Sequence, residues 1–174
     1  ILISLTLGSS RSWIERQSGL IRPAPASLKR WGIASTIAIF LQVLIGAIMR
    51  QAEAGLAIAQ FPTASPGSLL PGYWNFDVSI HFAHRVGAVI VTLFLLVYLS
   101  KLWANPNTRK ALIVGILSVV ALLFVQVYLG ALTIWTVKNP YVATIHHLVG
   151  AFLLASTWGL TFLAHRSVVP KPAI

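Results

Sequence analysis

The chain has 174 residues, of which 57% are hydrophobic and 9% charged, with a net charge of +10 and no cysteine. A soluble domain carries roughly a quarter charged residues, so this composition describes an integral membrane protein. The lack of cysteine excludes disulfides, thiolate-bound metal and thiol catalysis. The basic residues fall between apolar runs, which is the signature of membrane topology and not of a phosphate-binding face, so no nucleic-acid partner is expected.

Residues 1–7, Ile-Leu-Ile-Ser-Leu-Thr-Leu, are apolar but far shorter than the roughly 20 residues a span needs. They lack the charged start and cleavage site of a signal peptide. Residues 1–8 read as the tail of a truncated helix, with the chain forming part of a longer protein. Residues 9–30 hold Arg11, Arg16, Arg22, Lys29 and Arg30, with Pro23 and Pro25 as breakers, and read as a linker. Residues 31–165 form the membrane domain. Its first span is expected at about Trp31 to Met49. A long loop follows from Gln51 to Ser79, carrying Glu53, Asp77, Pro62, Pro66, Pro71 and the aromatics Phe61, Tyr73, Trp74 and Phe76. Loops of this length are often functional, and aromatics suit the membrane–water interface. Further spans are expected at about Ile80 to Ser100, Ala111 to Val137 and Tyr141 to Ala164, with a tail over 166–174.

The linker, the loop after the second span and the tail share one side of the membrane. Together they hold Arg11, Arg16, Arg22, Lys29, Arg30, Lys101, Arg109, Lys110, Arg166 and Lys171. The other side has Arg50 and Lys138, with Arg85 just inside the second span. The positive-inside rule makes the basic side, and both termini, cytoplasmic.

The chain also repeats. Leu41-Gln-Val-Leu-Ile-Gly-Ala-Ile48 matches Val125-Gln-Val-Tyr-Leu-Gly-Ala-Leu132. Each stretch is followed by a loop and then by a histidine-bearing helix start, Ile80-His-Phe-Ala-His-Arg-Val-Gly-Ala88 and Thr144-Ile-His-His-Leu-Val-Gly-Ala151. Two helix pairs of like design imply an all-α four-helix bundle with an internal two-fold repeat, the second and fourth spans running parallel. Ionisable side chains inside a span are costly and are functional candidates. One imidazole from each of two parallel helices at similar depth is what a bis-histidine haem iron takes, with Gly87 and Gly150 leaving room for the flat macrocycle. His84 stands one turn from His81, and His146 beside His147, so each histidine has an alternative. The competing account is that these histidines bridge helices by hydrogen bonding. That account is the better one for Gln42 and Gln126, while Gly46 and Gly130 read as close-packing sites. Arg85 could pair with a haem propionate or reach the interface.

Several stretches together resemble haem A synthases. Glu53-Ala-Gly-Leu-Ala-Ile-Ala-Gln-Phe-Pro62, preceded by Leu-Ile-Gly-Ala-Ile-Met-Arg50, is similar to that family's first extracytoplasmic loop motif. His81-Phe-Ala-His84-Arg85-Val-Gly-Ala88 and Val142-Ala-Thr-Ile-His146 are similar to its two haem-ligand helices. The resemblance covers about residues 31–165. It implies half of an eight-helix fold, more like the carboxy-terminal, haem b-binding half. Its further implications are oxidation of haem O to haem A for cytochrome c oxidase assembly, His84 and His146 as axial ligands, and a bacterial plasma membrane location. The partners it implies are haem O, membrane lipid, and a missing amino-terminal half or second subunit, with a homo-oligomer possible. The sequence departs from the motif at Ala59-Gln60, where the family has Pro-Asp, and at His81, where the amino-terminal half carries a glutamate. The internal repeat aligns His84 with His147, whereas the family pattern selects His146. Two other readings compete: a four-helix cytochrome b that only carries electrons, and a non-catalytic membrane scaffold.

Overall fold

The computed structural model describes residues 2–8 and 25–165. The linker expected over 9–30 and the tail over 166–174 therefore lie largely outside the described residues. A short helix α1 spans Leu2–Gly8, and four long helices follow: α2 Ala26–Gln51, α3 Phe76–Ala104, α4 Pro106–Trp135 and α5 Pro140–His165. A 3-10 turn, Ala54–Leu56, lies in the α2–α3 loop. No strand is present among the described residues. All four long helices are long and apolar enough to cross a membrane. Large apolar side chains such as Phe40, Val89, Val114, Phe124 and Phe152 face outward from the bundle, a surface that suits hydrocarbon and not water.

Each helix starts before the span expected for it, and α2, α3 and α5 also end beyond it, because the polar residues at the ends continue the backbone ladder beyond the apolar run; α4 stops at Trp135, short of the expected Val137, where the backbone turns left-handed. The starts are set by local chemistry. The Asn75 side chain accepts from the Val78 amide at 2.8 Å, with Asp77 in the first turn facing the positive end of the helix dipole. Asn105 Oδ1 accepts from Thr108 N–H at 3.2 Å, and Asn139 Oδ1 from Tyr141 N–H at 3.0 Å. Pro106 and Pro140 then occupy first helical positions, where a missing N–H costs nothing. The α4–α5 turn is closed by Val137 and Lys138 at φ of 52° and 61°, with Lys138 N–H donating to Thr133 O at 2.8 Å.

These short turns make α3, α4 and α5 an antiparallel series. α2 packs along α3, α4 along α5, α5 closes back onto α2, and α3 touches α4 more sparingly. The result is a ring in which α3 and α5 sit diagonally and run parallel. α1 docks on α5, where Trp158 Nε1 donates to Ser4 Oγ at 3.0 Å.

One large cluster of buried apolar side chains fills the bundle toward one end. Its members are Leu28 and Ile39 on α2, Val91, Leu95, Tyr98, Leu99 and Leu102 on α3, Leu112, Ile116, Val119 and Leu123 on α4, and Leu153, Leu160 and Ala164 on α5. Given the alternating chain direction, these run from the end away from the α2–α3 loop to about the middle of the bundle. Within that half α2 approaches closely. A Cβ at Gly32 would come within 2.8 Å of Thr161 Cγ2 and 3.1 Å of Tyr98 Cε2, and Ser35 Oγ donates to Phe94 O at 3.1 Å.

Candidate functional site

Where the apolar core stops, a different set of residues begins on every helix. On α2, Gln42 and Gly46 follow Ile39; on α4, Gln126 and Gly130 follow Leu123. On α3, His84 and Gly87 precede Val91; on α5, His146 and Gly150 precede Leu153. The helix ends facing the long loop thus carry amides, imidazoles and glycines where the opposite ends carry leucines.

These residues form two equivalent constellations. In the first, Gln42 Nε2 lies 3.0 Å from His84 Nδ1 and donates to His84 O at 2.7 Å. In the second, Gln126 Nε2 lies 3.4 Å from His146 Nε2. Each imidazole turns its Cε1 edge onto a glycine of the neighbouring helix: a Cβ at Gly46 would come within 3.0 Å of the His84 ring, and one at Gly130 within 3.3 Å of the His146 ring. Each glutamine rests on a second glycine. A Cβ at Gly87 would collide with Gln42 Oε1, and one at Gly150 would lie 3.1 Å from Gln126 Nε2.

This geometry corrects one expectation. The room over Gly87 and Gly150 is taken by the two glutamines, so neither glycine opens directly onto space for a macrocycle. It also bears on the choice between neighbours. The histidine of α5 that occupies the position of His84, between a glutamine and a glycine, is His146. His147 is exposed, and its Nδ1 meets the carbonyl of Ala143 one turn back on its own helix. Counting back from the paired glycines gives three residues to His84 and four to His146; both are about one helical turn, so an alignment without gaps pairs His84 with His147 where the helix packing pairs it with His146.

His81 serves another purpose. Its side chain is 3% exposed, and Nδ1 accepts from the Ile58 amide at 3.2 Å, fixing the loop to α3. Arg85 does the same one turn further on. Its guanidinium donates to the carbonyls of Ile58 at 2.8 Å, Gln60 at 2.6 Å and Thr63 at 3.0 Å, and lies 5.7 Å from the centre of the Phe61 ring. Phe61 in turn meets Trp135 of α4 edge to face at 6.0 Å. The loop of the first helix pair is thereby tied to the second. Arg85 is thus largely occupied by loop carbonyls, with Nε as its one buried donor lacking a partner. The clamp was missed in the sequence, although the signal was present: an intramembrane-edge arginine beside a proline-rich loop rich in free carbonyls.

Several buried polar atoms at this end lack partners: His146 Nδ1, Gln42 Oε1 and Gln126 Oε1. Orphaned polar atoms are costly away from water, and these three belong to the two constellations. Among the described residues no group of three or more His, Cys, Asp or Glu side chains could hold a metal ion. Two imidazoles alone do not complete a metal's coordination.

The sequence profile described as Cytochrome oxidase assembly protein matches residues 1–158. Curated relatives include a haem A synthase of Listeria welshimeri, 32% identical over 136 residues, covering 77% of this chain and 43% of the relative. A haem A synthase of Macrococcus caseolyticus is 31% identical over 122 residues, 70% of this chain and 40% of the relative. One of Allorhizobium ampelinum is 32% identical over 158 residues, 82% of this chain and 42% of the relative. The chain therefore spans less than half the length of the curated relatives it matches. With a matched profile over most of its length and a four-helix membrane bundle beneath it, the chain belongs to the cytochrome oxidase assembly protein family, the family of the haem A synthases.

Proposed function

We propose that this chain is the haem b-binding four-helix unit of a haem A synthase, a membrane oxidoreductase that converts haem O to haem A for cytochrome c oxidase, with His84 and His146 as the residues that would hold the haem iron. The observation that carries this reading is the equivalent placement of the two imidazoles. They project from diagonal, parallel helices, one from each repeat, at the level where the apolar core ends, each held by its own glutamine and glycine.

The residues present fit a bis-histidine haem. His146 keeps a buried ring nitrogen without a protein partner, and in His84 only Nδ1 is engaged by Gln42, so each ring has a nitrogen to offer. Bound there, the haem supplies an iron centre that changes oxidation state by one electron. The chain's own residues do the rest. His84 and His146 bind and orient. The apolar end of the bundle, from Val91 and Leu153 inward, excludes water on one side. The loop held by His81 and Arg85 covers the other, and the Arg85 Nε atom is the donor left for an anionic substituent. By the distribution of basic residues the histidine end faces outward and both termini face the cytoplasm of a bacterial plasma membrane. Oxidation of haem O is the activity of the whole protein, in which this unit works with the remaining half of the fold.

Purified protein in detergent, scanned oxidised and dithionite-reduced, tests the assignment. The expected result is a reducible low-spin haem in the wild type, with either His84→Ala or His146→Ala leaving a high-spin or haem-free protein. A wild type without such a haem, or a spectrum unchanged in both variants, overturns it.

A further inference from the structure

We infer that the end of the bundle away from the α2–α3 loop binds the headgroup phosphate of an anionic phospholipid, at the α3–α4 corner where Lys101, Trp103 and Arg109 come together. This inference does not rest on the haem reading.

The helix ends at this face carry Lys29 and Arg30 on α2, Lys101 on α3, and Arg109 and Lys110 on α4. Arg30, Arg109 and Lys110 are exposed, and Lys29 and Lys101 are half-buried. Glu53 and Asp77, the acidic residues among those described, both lie at the histidine end, one in the α2–α3 loop and one in the first turn of α3. No described carboxylate is in place to neutralise these cations. Packing draws them together. Ser35 Oγ donates to Phe94 O, and the antiparallel register set by that contact brings Lys29 level with Ser100, beside Lys101. At the corner, Arg109 N–H donates to Asn105 O at 2.8 Å, which starts α4 directly against the end of α3.

The helix dipoles make this arrangement more costly. Lys29 and Arg30 lie in the first two turns of α2, Arg109 and Lys110 in those of α4, and neither helix has an acidic residue in its first turn. A helix start favours anions and disfavours cations. Lys29, Arg30, Arg109 and Lys110 therefore oppose both the dipoles and one another, and a bound anion relieves both repulsions.

Membrane sidedness asks for basic residues on one face, but it does not ask for the contact made by Arg109. Its guanidinium carbon lies 5.3 Å from the centre of the Trp103 ring, over the indole. Stacking uses the face of the guanidinium and leaves the N–H groups of its edge for an acceptor, of which a phosphate takes two. Trp103 is 48% exposed at the end of a membrane-spanning helix, the depth at which indoles meet headgroups. Further along α4 the outward side chains Val114 and Leu117 are apolar, as acyl chains require. Anionic charge at the corner with hydrocarbon beside it selects a phospholipid over free phosphate.

The test titrates the whole chain, freed of lipid in a neutral detergent, with phosphatidylglycerol, phosphatidylcholine or inorganic phosphate. Native mass spectrometry reads lipid retention, and a thermal melt reads stabilisation by a ligand that binds the folded state. Phosphatidylglycerol is expected to bind at least about tenfold more tightly than phosphatidylcholine, because each basic residue near an anionic lipid contributes about a fivefold factor. Arg109→Gln and Lys101→Gln are each expected to cut that preference about fivefold. Lys138→Gln, at the histidine end, should leave it unchanged. Trp103→Leu should weaken retention although every charge remains. Equal retention of the two lipids by the wild type would overturn the inference and needs no variant. So would a preference that survives Arg109→Gln combined with Lys101→Gln in folded protein, or one that falls as far in Lys138→Gln. Retention unchanged in Trp103→Leu would reduce the corner to diffuse charge and overturn the site. Inorganic phosphate that raises the melting temperature as much as phosphatidylglycerol at equal concentration would make it a free-anion site and overturn the lipid assignment.

Discussion

Arg85 donates to the backbone carbonyl of Gln60 at 2.6 Å, and the same guanidinium holds the carbonyls of Ile58 and Thr63. Three carbonyls on one cation give the loop a fixed path over the histidine end of the bundle. Charge-assisted hydrogen bonds of this kind are roughly twice as strong as neutral ones. Arg85→Ala is expected to release the segment around Ile58–Thr63, raising its amide exchange by at least tenfold while leaving α3 protected. Arg85→Lys should recover little, since a single ammonium cannot match the planar fork. Exchange in this segment that is unchanged in Arg85→Ala would show that the loop holds itself.

Gly46 and Gly130 offer a graded pair. A methyl group at Gly46 would lie 3.0 Å from His84 Cε1, and one at Gly130 3.3 Å from His146 Cε1. Both rings must shift, the first by more. Moving a side chain about 30° off its rotamer costs about 0.5–1.5 kcal/mol, so Gly46→Ala is expected to weaken haem binding by up to about tenfold and Gly130→Ala by less. Equal effects, or a larger one at Gly130, would mean the rings are not seated on these glycines in the loaded protein.

The bundle was legible in the sequence because its signals are long. Four apolar runs, the Gln-Val-x-x-Gly-Ala repeat and the Asn-Pro turns each depend on several residues, and the helices follow them, extended by a turn where polar ends continue the ladder. The site was legible only in part. Intramembrane histidines are conspicuous because each is costly there. Which nitrogen, which neighbour and what fills the space over a glycine depend on helix rotation, and a period of 3.6 lets spacings of three and four fall on one face. That is why the repeat alone pointed to His147, and why Gly87 and Gly150 read as room for a macrocycle when glutamines occupy it. The Arg85 clamp joins residues more than twenty positions apart through backbone carbonyls, so only the arginine and the proline-rich loop beside it show in the sequence, not which carbonyls they join.

The contrast between the adjacent histidines of α5 is itself a prediction. His147 is exposed, and its ring bonds only within its own helix. His147→Ala is expected to change stability by no more than about 0.5 kcal/mol, as for other surface substitutions, and to retain the low-spin haem. His146→Ala is expected to lose it. The reverse pattern in reduced-minus-oxidised spectra would move the second ligand to His147.

Sidedness follows from charge and is open to direct labelling, since the chain has no native cysteine. Leu69, exposed in the α2–α3 loop, and Lys110, exposed in the first turns of α4, lie at opposite ends of the bundle. In intact cells a membrane-impermeant thiol reagent should modify Leu69→Cys and spare Lys110→Cys until the membrane is opened. Labelling with the opposite preference would reverse the orientation and place the histidine end on the cytoplasmic face.

The last prediction concerns the end of the bundle that holds no histidine. In lipid the hydrophobic effect does not drive helices together, so association depends on close packing and on small residues that allow it. Gly32 is such a residue. A Cβ there would lie 2.8 Å from Thr161 Cγ2, 2.9 Å from Thr161 Oγ1 and 3.1 Å from Tyr98 Cε2, so one methyl group meets side chains of both α5 and α3. Tyr98 is fully buried and Thr161 nearly so, and neither has open space to move into. Overpacking of this kind typically costs about 1–3 kcal/mol, and Gly32→Ala is expected to destabilise the bundle by that amount in a denaturation series. The haem spectrum should be preserved in the folded fraction, because Gly32 lies beyond Ile39 from Gln42 and the histidines. Thr161→Ser removes the nearer methyl group and should restore part of the loss when combined with Gly32→Ala, a coupling that a double-mutant cycle reads directly. If Gly32→Ala is neutral, or its cost is unchanged by Thr161→Ser, α2 does not meet α5 at this point.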